Sequence, residues 1–170
     1  RGLSLGNVAI QETAADGIRV SSVVGRVRLL RVSVEGVGGD AVSFIGGDPV
    51  TAGDLRLVDN DGHGFTRGDG SITLNNSELS GNGTAIDGYD LWLREGSSGT
   101  VSATKLTGSG EGARLELTRA MTLAQNEWSG YRVALRTRSA NPTVRSNIFN
   151  AVDTVLSAQG FRVPIMMQLN

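Results

Sequence analysis

Four residues in the middle of the chain could bind a charged sugar. Trp92 stands between two leucines, and in an apolar-x-apolar strand the middle side chain points to solvent. An indole ring offers a flat apolar platform to a sugar ring, and arginine guanidinium groups suit the carboxylates of uronic acids. The same alternation places Arg94, Glu116 and Arg136 on the outward side of this segment and of later ones. We therefore predict a substrate-binding patch of these four residues.

Glu116, Arg94 and Arg136 are also the candidates for catalysis. Hydrolysis of a glycosidic bond needs two carboxylates about 5–10 Å apart, and Asp87 and Asp90, in the turn one repeat earlier, are the nearest partners for Glu116. Both aspartates occupy positions typical of a turn. The alternative for the charged residues is a structural ion pair of Glu116 with Arg94 or Arg136. The alternative for the tryptophan is a loop that covers it.

The segment 59–64, Asp-Asn-Asp-Gly-His-Gly, places oxygen ligands at alternate positions before a glycine, as a calcium loop does. Asp59 and Asp61 are therefore calcium candidates, and calcium is the only cofactor that the sequence suggests. The closing glutamate of such a loop is absent, because Gly70 stands at the twelfth position. The alternative is a turn whose carboxylates bond to their own backbone. His63 is the only histidine, so a metal site with several histidines is excluded.

The composition excludes several classes of protein. The 170 residues suit one domain with a sizeable core. Sixteen basic and 17 acidic residues give a net charge of −1, so the positive field that favours binding to nucleic acid is missing. No apolar run reaches the roughly 18 residues of a membrane span. The lack of cysteine excludes disulfides and thiolate metal sites.

Apolar-x-apolar segments recur about every 23 residues, a length typical of one solenoid turn. They are Ile18–Val20, Val42–Phe44, Leu91–Leu93, Leu115–Leu117 and Val133–Leu135, with weaker members beginning at Phe65 and Val155. A second apolar ladder precedes the first by about eight residues; its members include Val34, Leu57, Leu79, Leu106, Trp128 and Phe149. We predict two short strands in each repeat, with positive φ at corner glycines such as Gly17, Gly62 and Gly83.

The segments 72–83 and 144–150 alternate apolar residues with asparagines and resemble the repeat of right-handed parallel β-helix proteins of the pectate-lyase-like superfamily. The resemblance covers roughly residues 2–160. It implies a three-faced right-handed coil in which asparagines stack at a corner. In the lyases of this superfamily an arginine, a lysine or calcium neutralises the uronate carboxylate, which implies that role for an arginine of the patch. The same coil also serves hydrolases, epimerases, tailspikes and adhesins, so the resemblance implies no single activity.

We therefore predict an all-β fold, a single-stranded right-handed parallel β-helix of about seven coils, over residues 1–160. Residues 161–170 break the repeat and are dense in apolar side chains, and we expect a C-terminal cap or interface there. Because solenoids hide their open ends, we expect additional coils, a domain or a chain at either end. The competing fold, an antiparallel β-sandwich, would need hairpin turns in place of paired ladders.

Three functions fit this prediction. The leading one is a scaffold segment of a secreted or surface protein of a bacterium or phage, with a glycan-contact face and a polysaccharide as partner. Its location would be extracellular, at the cell surface or in the periplasm. The second is a polysaccharide lyase or glycoside hydrolase acting on an acidic polysaccharide. The third is the oligomerising shaft of an adhesin or tailspike, joined through the apolar C-terminal segment.

Overall fold

The computed structural model describes residues 2–21, 25–84, 88–160 and 166–169, and every regular element within these ranges is a β-strand. In chain order the strands are β1 (Leu3–Gln11), β2 (Ile18–Val20), β3 (Val27–Glu35), β4 (Val42–Phe44), β5 (Val50–Gly53), β6 (Arg56–Val58), β7 (Phe65–Arg67), β8 (Gly70–Asn75), β9 (Glu78–Ser80), β10 (Tyr89–Leu93), β11 (Ser97–Ser102), β12 (Lys105–Thr107), β13 (Glu111–Glu116), β14 (Met121–Ala124), β15 (Glu127–Ser129), β16 (Val133–Arg138), β17 (Thr143–Asn150), β18 (Thr154–Gln159) and β19 (Met166–Leu169).

The strands stack as a parallel β-solenoid with three faces. The first face holds β5, β8, β11 and β14, and the second holds β6, β9, β12 and β15. These two faces belong to one twelve-stranded sheet, because the long strands β3 and β17 pass round the corner and pair on both. The third face is a seven-stranded sheet with one strand from each coil, from β2 to β18. The predicted parallel β-solenoid of about seven coils is confirmed.

The second predicted ladder is a buried column on the second face. Val34, Leu57, Leu79, Leu106 and Trp128 pair in register in successive coils, and all five are almost completely buried. Burying an aliphatic side chain contributes about 1.5–3 kcal/mol. A single coil has no second layer against which to bury these side chains, so the stacking of coils provides the core.

Each coil carries three strand positions, where the apolar pattern predicted two. The additional ladder lies on the first face, where Val50, Ile72 and Gly99 occupy the same inward position in successive coils. Gly99 interrupts this row, because it stands where other coils have an apolar side chain, whereas the inward row two residues further on is apolar in every coil from Leu29 to Val144. A Cβ on Gly99 would collide with the backbone carbonyl of Ile72, so the close approach of the two coils requires glycine.

The corner between the first and second faces is built mainly from residues other than glycine. One residue of each coil adopts positive φ there: Asn7, Arg31, Asp54, Asn76, Ala103, Gln125 and Ser146. The prediction of positive φ is correct for Gly83 and wrong for Gly17 and Gly62. These two glycines are needed for space, since a Cβ on Gly62 would lie 2.5 Å from the carbonyl carbon of Gly39.

Asparagines stack at two corners of the solenoid, as the resemblance implied. At one corner Asn60 Nδ2 donates to Asn82 Oδ1 at 2.6 Å. At the other corner the backbone N–H of Asn126 donates to Asn147 Oδ1 at 2.9 Å, and the N–H of Thr104 donates to Asn126 Oδ1 at 3.0 Å. Each amide therefore satisfies a buried backbone group in the neighbouring coil, which fixes the register of the stack.

The predicted C-terminal cap or interface falls largely outside the described residues, which omit 161–165 and 170. The backbone of β19 pairs with β17 and extends the first face. The cap therefore stays a prediction. Across the described ranges, no helix has the length and apolarity needed to cross a membrane.

Candidate functional site

The outward row that contains Trp92 differs from the predicted one. In register, Trp92 of β10 lies between Thr66 of β7 and Arg114 of β13, and Arg114 pairs with Arg136 of β16. Arg114, which sequence reasoning missed, is thus the neighbour of Trp92. Glu116 lies in the adjacent outward row, opposite Arg138.

The predicted alignment of β13 was shifted by two residues. The sequence pattern predicts Leu115 and Leu117 as the inward pair, but the inward pair is Ala113 and Leu115. Leu117 has φ 52° at the corner and is 46% exposed. A shift by two residues keeps every side chain on the same side of the sheet, so alternation alone could not expose the error. The signal that could have revealed it is the small size of Ala113, which suits a crowded interior.

Trp92 is half-buried in a group of aromatic and cationic side chains. The His63 ring meets it edge-on with centroids 4.6 Å apart, and the Arg94 guanidinium carbon lies 4.8 Å from its ring centroid. The guanidinium carbon of Arg114 lies 5.9 Å from the same centroid. Two arginines therefore pack against the indole ring. The contacts are cation–π interactions, which hold both guanidinium groups in place.

His63 packs against this group, and the sequence predicted no role for it. Its Nδ1 accepts a hydrogen bond from the backbone N–H of Tyr89 at 3.0 Å, and its ring stacks on the Tyr89 ring at 5.6 Å. Burial lowers the pKa of His63; Asp40 raises it, and Arg114 and Arg94 lower it further. The imidazole is therefore neutral near pH 7, with its proton on Nε2.

Each of two glutamates on this face bridges two arginines. Glu111 accepts two hydrogen bonds from Arg136, one of them from Nε at 2.7 Å, and lies 3.3 Å from Arg132 Nη2. The hydrogen bond from Arg136 is the main cause that lowers the pKa of Glu111.

Glu116 lies 3.0 Å from Arg138 Nη1 and 3.5 Å from Arg114 Nη2. The anticipated ion pair of Glu116 thus exists with different partners from the expected Arg94 and Arg136. The pairing changed because β13 is shifted by two residues against its predicted alignment.

Five arginines gather on this face, and we call them the arginine patch; they are Arg94, Arg114, Arg132, Arg136 and Arg138. Glu111 and Glu116 pair with four of them, and the lining of the two hollows beside the patch also includes Asp90, Asp16, Asp40 and Asp61. Two buried N–H donors at its centre, Arg114 Nε and Trp92 Nε1, have no acceptor among the described residues. An unsatisfied buried donor costs about 1–3 kcal/mol, so the patch favours a ligand that brings acceptors.

Two hollows lie on either side of the Trp92 and Arg114 pair. The larger, of about 680 Å³, is lined by four arginines of the patch together with Tyr89, Tyr131 and the turns at 81–84 and 108–111. The smaller, of about 380 Å³, is lined by Trp92, Arg94, Thr66 and the turns at 38–40 and 61–62. The four predicted patch residues are thus spread over one continuous face. Arg94 and Trp92 border the smaller hollow, and Arg136 borders the larger.

Asp90 lies at the floor of the larger hollow but is engaged by neighbouring groups. The Tyr131 hydroxyl donates to its Oδ2, and the side chain and backbone of Asn82 donate to its Oδ1. Burial raises the pKa of Asp90 to about 6, although these hydrogen bonds oppose the rise. Asp87 lies outside the described residues. The anticipated pair of Glu116 with Asp90 is not assembled in this hollow, because Glu116 is not part of its lining, and Glu111, which is, pairs with Arg132 and Arg136.

The two calcium candidates form parts of a turn. Asp61 Oδ1 accepts a hydrogen bond from the Thr84 hydroxyl at 3.2 Å, and Asp59 takes positive φ at a corner. The residues that the structure describes include no cluster of three or more carboxylate, histidine or cysteine side chains suited to a metal. Calcium binding by Asp59 and Asp61 stays a prediction without a third ligand to support it.

In comparisons with known proteins, no family model, no curated protein and no solved structure matches the chain.

Proposed function

We propose that this chain is the β-solenoid scaffold of a secreted or surface protein and that its arginine patch binds an acidic polysaccharide. The observation that carries the proposal is the cluster of four arginines at the larger hollow, next to Trp92, combined with two buried donors that lack an acceptor among the described residues. Carboxylate or sulfate groups would supply both negative charge and acceptor oxygens. The resemblance to the pectate-lyase-like superfamily supports the same class of ligand.

The spacing of the coils suits a chain of sugars. Neighbouring strands lie about 4.8 Å apart, a distance comparable to the length of one pyranose residue. Trp92, Arg114 and Arg136 stand in one row across three successive coils. A polysaccharide running along the solenoid axis would therefore meet one row member with each sugar. Trp92 borders the smaller hollow and Arg114 and Arg136 border the larger, so the two hollows follow each other along the row and would hold successive parts of the ligand.

Binding is favoured over catalysis by the state of the carboxylates. Glu111 and Glu116 are each held by two arginines, and both oxygens of Asp90 accept hydrogen bonds from its neighbours. A general acid or base must reach the reacting group directly or through one water. None of these three carboxylates is turned toward the open groove without a partner, so the geometry supports a contact surface best.

The proposal is tested by calorimetric titration with polygalacturonate, alginate and chondroitin sulfate, with dextran as the uncharged control. Arg114→Gln removes a central charge and its contacts with Tyr89 and Trp92, and we expect a tenfold or greater loss of affinity, since a hydrogen bond to a charged group contributes about 1.5–3 kcal/mol. Arg28→Gln, an equal change of charge on the first face, should leave the affinity unchanged.

Equal binding of dextran, or equal losses for the two variants, would remove the arginine patch as the binding surface. The same polysaccharides, after incubation with the protein, are assayed for unsaturated uronates and new reducing ends. Their appearance would convert the proposal from binding to lysis or hydrolysis.

A further inference from the structure

A rank of five threonines runs along the outer surface of the first face. Thr51 lies opposite Thr73, Thr73 opposite Thr100, Thr100 opposite Thr122, and Thr122 opposite Thr143. Each member comes from a different coil, so the rank crosses five coils without interruption. Because paired strands of a sheet lie about 4.8 Å apart, the five side chains form a straight array with that repeat.

The hydroxyl groups of this threonine rank are free to bond to water. Across the described residues, none of the five makes a hydrogen bond to another protein group. Other hydroxyls of the solenoid behave differently: Thr104 donates to the carbonyl of Ser102, and Thr107 pairs with Ser129. The rank members are exposed or half-exposed in the strands. Each therefore presents one hydroxyl and one methyl group to solvent.

The middle of the threonine rank has small, uncharged neighbours. Ser71 and Ser98 pair on one side of it, and Asn75 and Ser102 pair on the other. Charged side chains stand at its two ends: Arg28 precedes the first threonine in the same row, and Arg145 lies in the neighbouring row beside the last. The middle of this face therefore differs from the arginine patch in charge as well as in position.

A rigid, uncharged array of this kind matches the surface of a crystal of water. Charged or mobile surfaces keep their own irregular hydration, whereas a flat sheet holds its hydroxyl and methyl groups at fixed spacing. The inter-strand repeat of about 4.8 Å is close to the repeat of oxygen positions along the a axis of hexagonal ice. Hydroxyls can then occupy lattice sites while methyl groups fill the hollows between them. We propose that the threonine rank binds ice.

The proposal is tested by measuring thermal hysteresis, the gap between the melting and freezing temperatures of a single ice crystal in the protein solution. A second readout uses protein labelled at Lys105, the only lysine, which points outward on the second face. A growing ice crystal incorporates labelled protein that is bound to its surface. It excludes a labelled control protein that has no affinity for ice.

Thr100→Tyr places a bulky ring at the centre of the rank while keeping a residue that favours strands, and it should abolish most of the hysteresis. Glu127→Tyr, an outward change on the second face, serves as its matched control and should keep the activity. Thr100→Val, which retains the shape without the hydroxyl, should reduce hysteresis less than Thr100→Tyr. Circular dichroism and thermal unfolding establish that all three variants are folded.

Absence of hysteresis together with exclusion of the wild-type protein from ice would overturn the proposal. So would equal hysteresis in Thr100→Tyr and Glu127→Tyr. If the flat face instead joins two copies of this chain, light scattering would show a dimer that Thr100→Tyr dissociates, and ice affinity would be absent. Binding of polysaccharide, measured on the same variants, should not change, because the arginine patch lies on the third face.

Discussion

Ionisation of the buried Asp90 side chain lowers the stability of the folded protein at neutral pH. Its pKa is raised from the ordinary value of 3.8 to about 6, because burial disfavours the carboxylate. The unfolded chain loses this proton near pH 4 and the folded chain only near pH 6. Folding stability from this group is thus fully present below pH 4 and is lost as the pH rises toward 6.

We expect Asp90→Asn to relieve this loss. The amide oxygen can still accept the hydrogen bonds from Asn82, and the amide nitrogen can donate to the Tyr131 oxygen. A shift of about two pKa units corresponds to about 3 kcal/mol. The stability of the variant relative to wild type, measured by urea unfolding, should therefore rise by up to that amount between pH 4 and pH 7. A difference that stays constant with pH would show that Asp90 ionises normally.

His63 should produce the opposite dependence. Burial lowers its pKa in the folded protein below the ordinary value of 6.5, so on acidification the unfolded chain takes up a proton first. The stability that the neutral imidazole contributes is present above pH 6.5 and is lost as the pH falls through the region below it. His63→Gln removes this loss of folding stability on acidification. The stability of the variant relative to wild type should therefore increase as the pH falls from 7 to 5. A decrease over the same range would contradict the buried, neutral assignment.

At the scale of the strands and corners, Asn147 fixes the register of the last two coils described in full. Its oxygen accepts from Asn126 N at 2.9 Å, and its Nδ2 donates to the carbonyls of Leu123 and Arg145 at 2.9 and 3.0 Å. Asn147→Ala would leave these buried groups without partners, at about 1–3 kcal/mol each. We expect a loss of about 2–4 kcal/mol in the free energy of unfolding, and less than about 0.5 kcal/mol for the exposed control Asn150→Ala. Similar losses in the two variants would show that the corner ladder does not determine the register.

The predictable part of this architecture is the part that large apolar side chains encode. The column from Val34 to Trp128 is visible in the sequence because each coil contributes a strongly apolar residue at the same position. The first face was not predicted although its inward row from Leu29 to Val144 is apolar in every coil. In most coils only two residues separate its strand from that of the second face, and a period-two pattern does not show where one strand ends and the next begins. The site was only half predicted for a related reason: Arg114 replaced Glu116 beside Trp92, since alternation with a period of two cannot distinguish registers that differ by two residues.

At the scale of the whole molecule, the net charge of −1 is a sum over faces that differ in charge. The arginine patch gathers five arginines on the third face, whereas the threonine rank at the centre of the first face is uncharged. The apolar core separates the two. The total charge therefore describes neither surface, which is why the composition could exclude a strongly basic protein but could not locate a basic patch.

This separation predicts that the two surfaces act independently. Arg114 and Thr100 belong to the same coil but to different faces, and substitutions without shared partners usually add within about 0.3–0.5 kcal/mol. The double variant Arg114→Gln, Thr100→Tyr should lose polysaccharide affinity to the same extent as Arg114→Gln alone and ice affinity to the same extent as Thr100→Tyr alone. Its loss of unfolding free energy should equal the sum of the two single losses. Calorimetry, thermal hysteresis and urea unfolding measure these three quantities on one set of four proteins. A coupling above about 1 kcal/mol would mean that the core transmits strain between the faces, because directly touching or networked residues couple by about 0.5–3 kcal/mol.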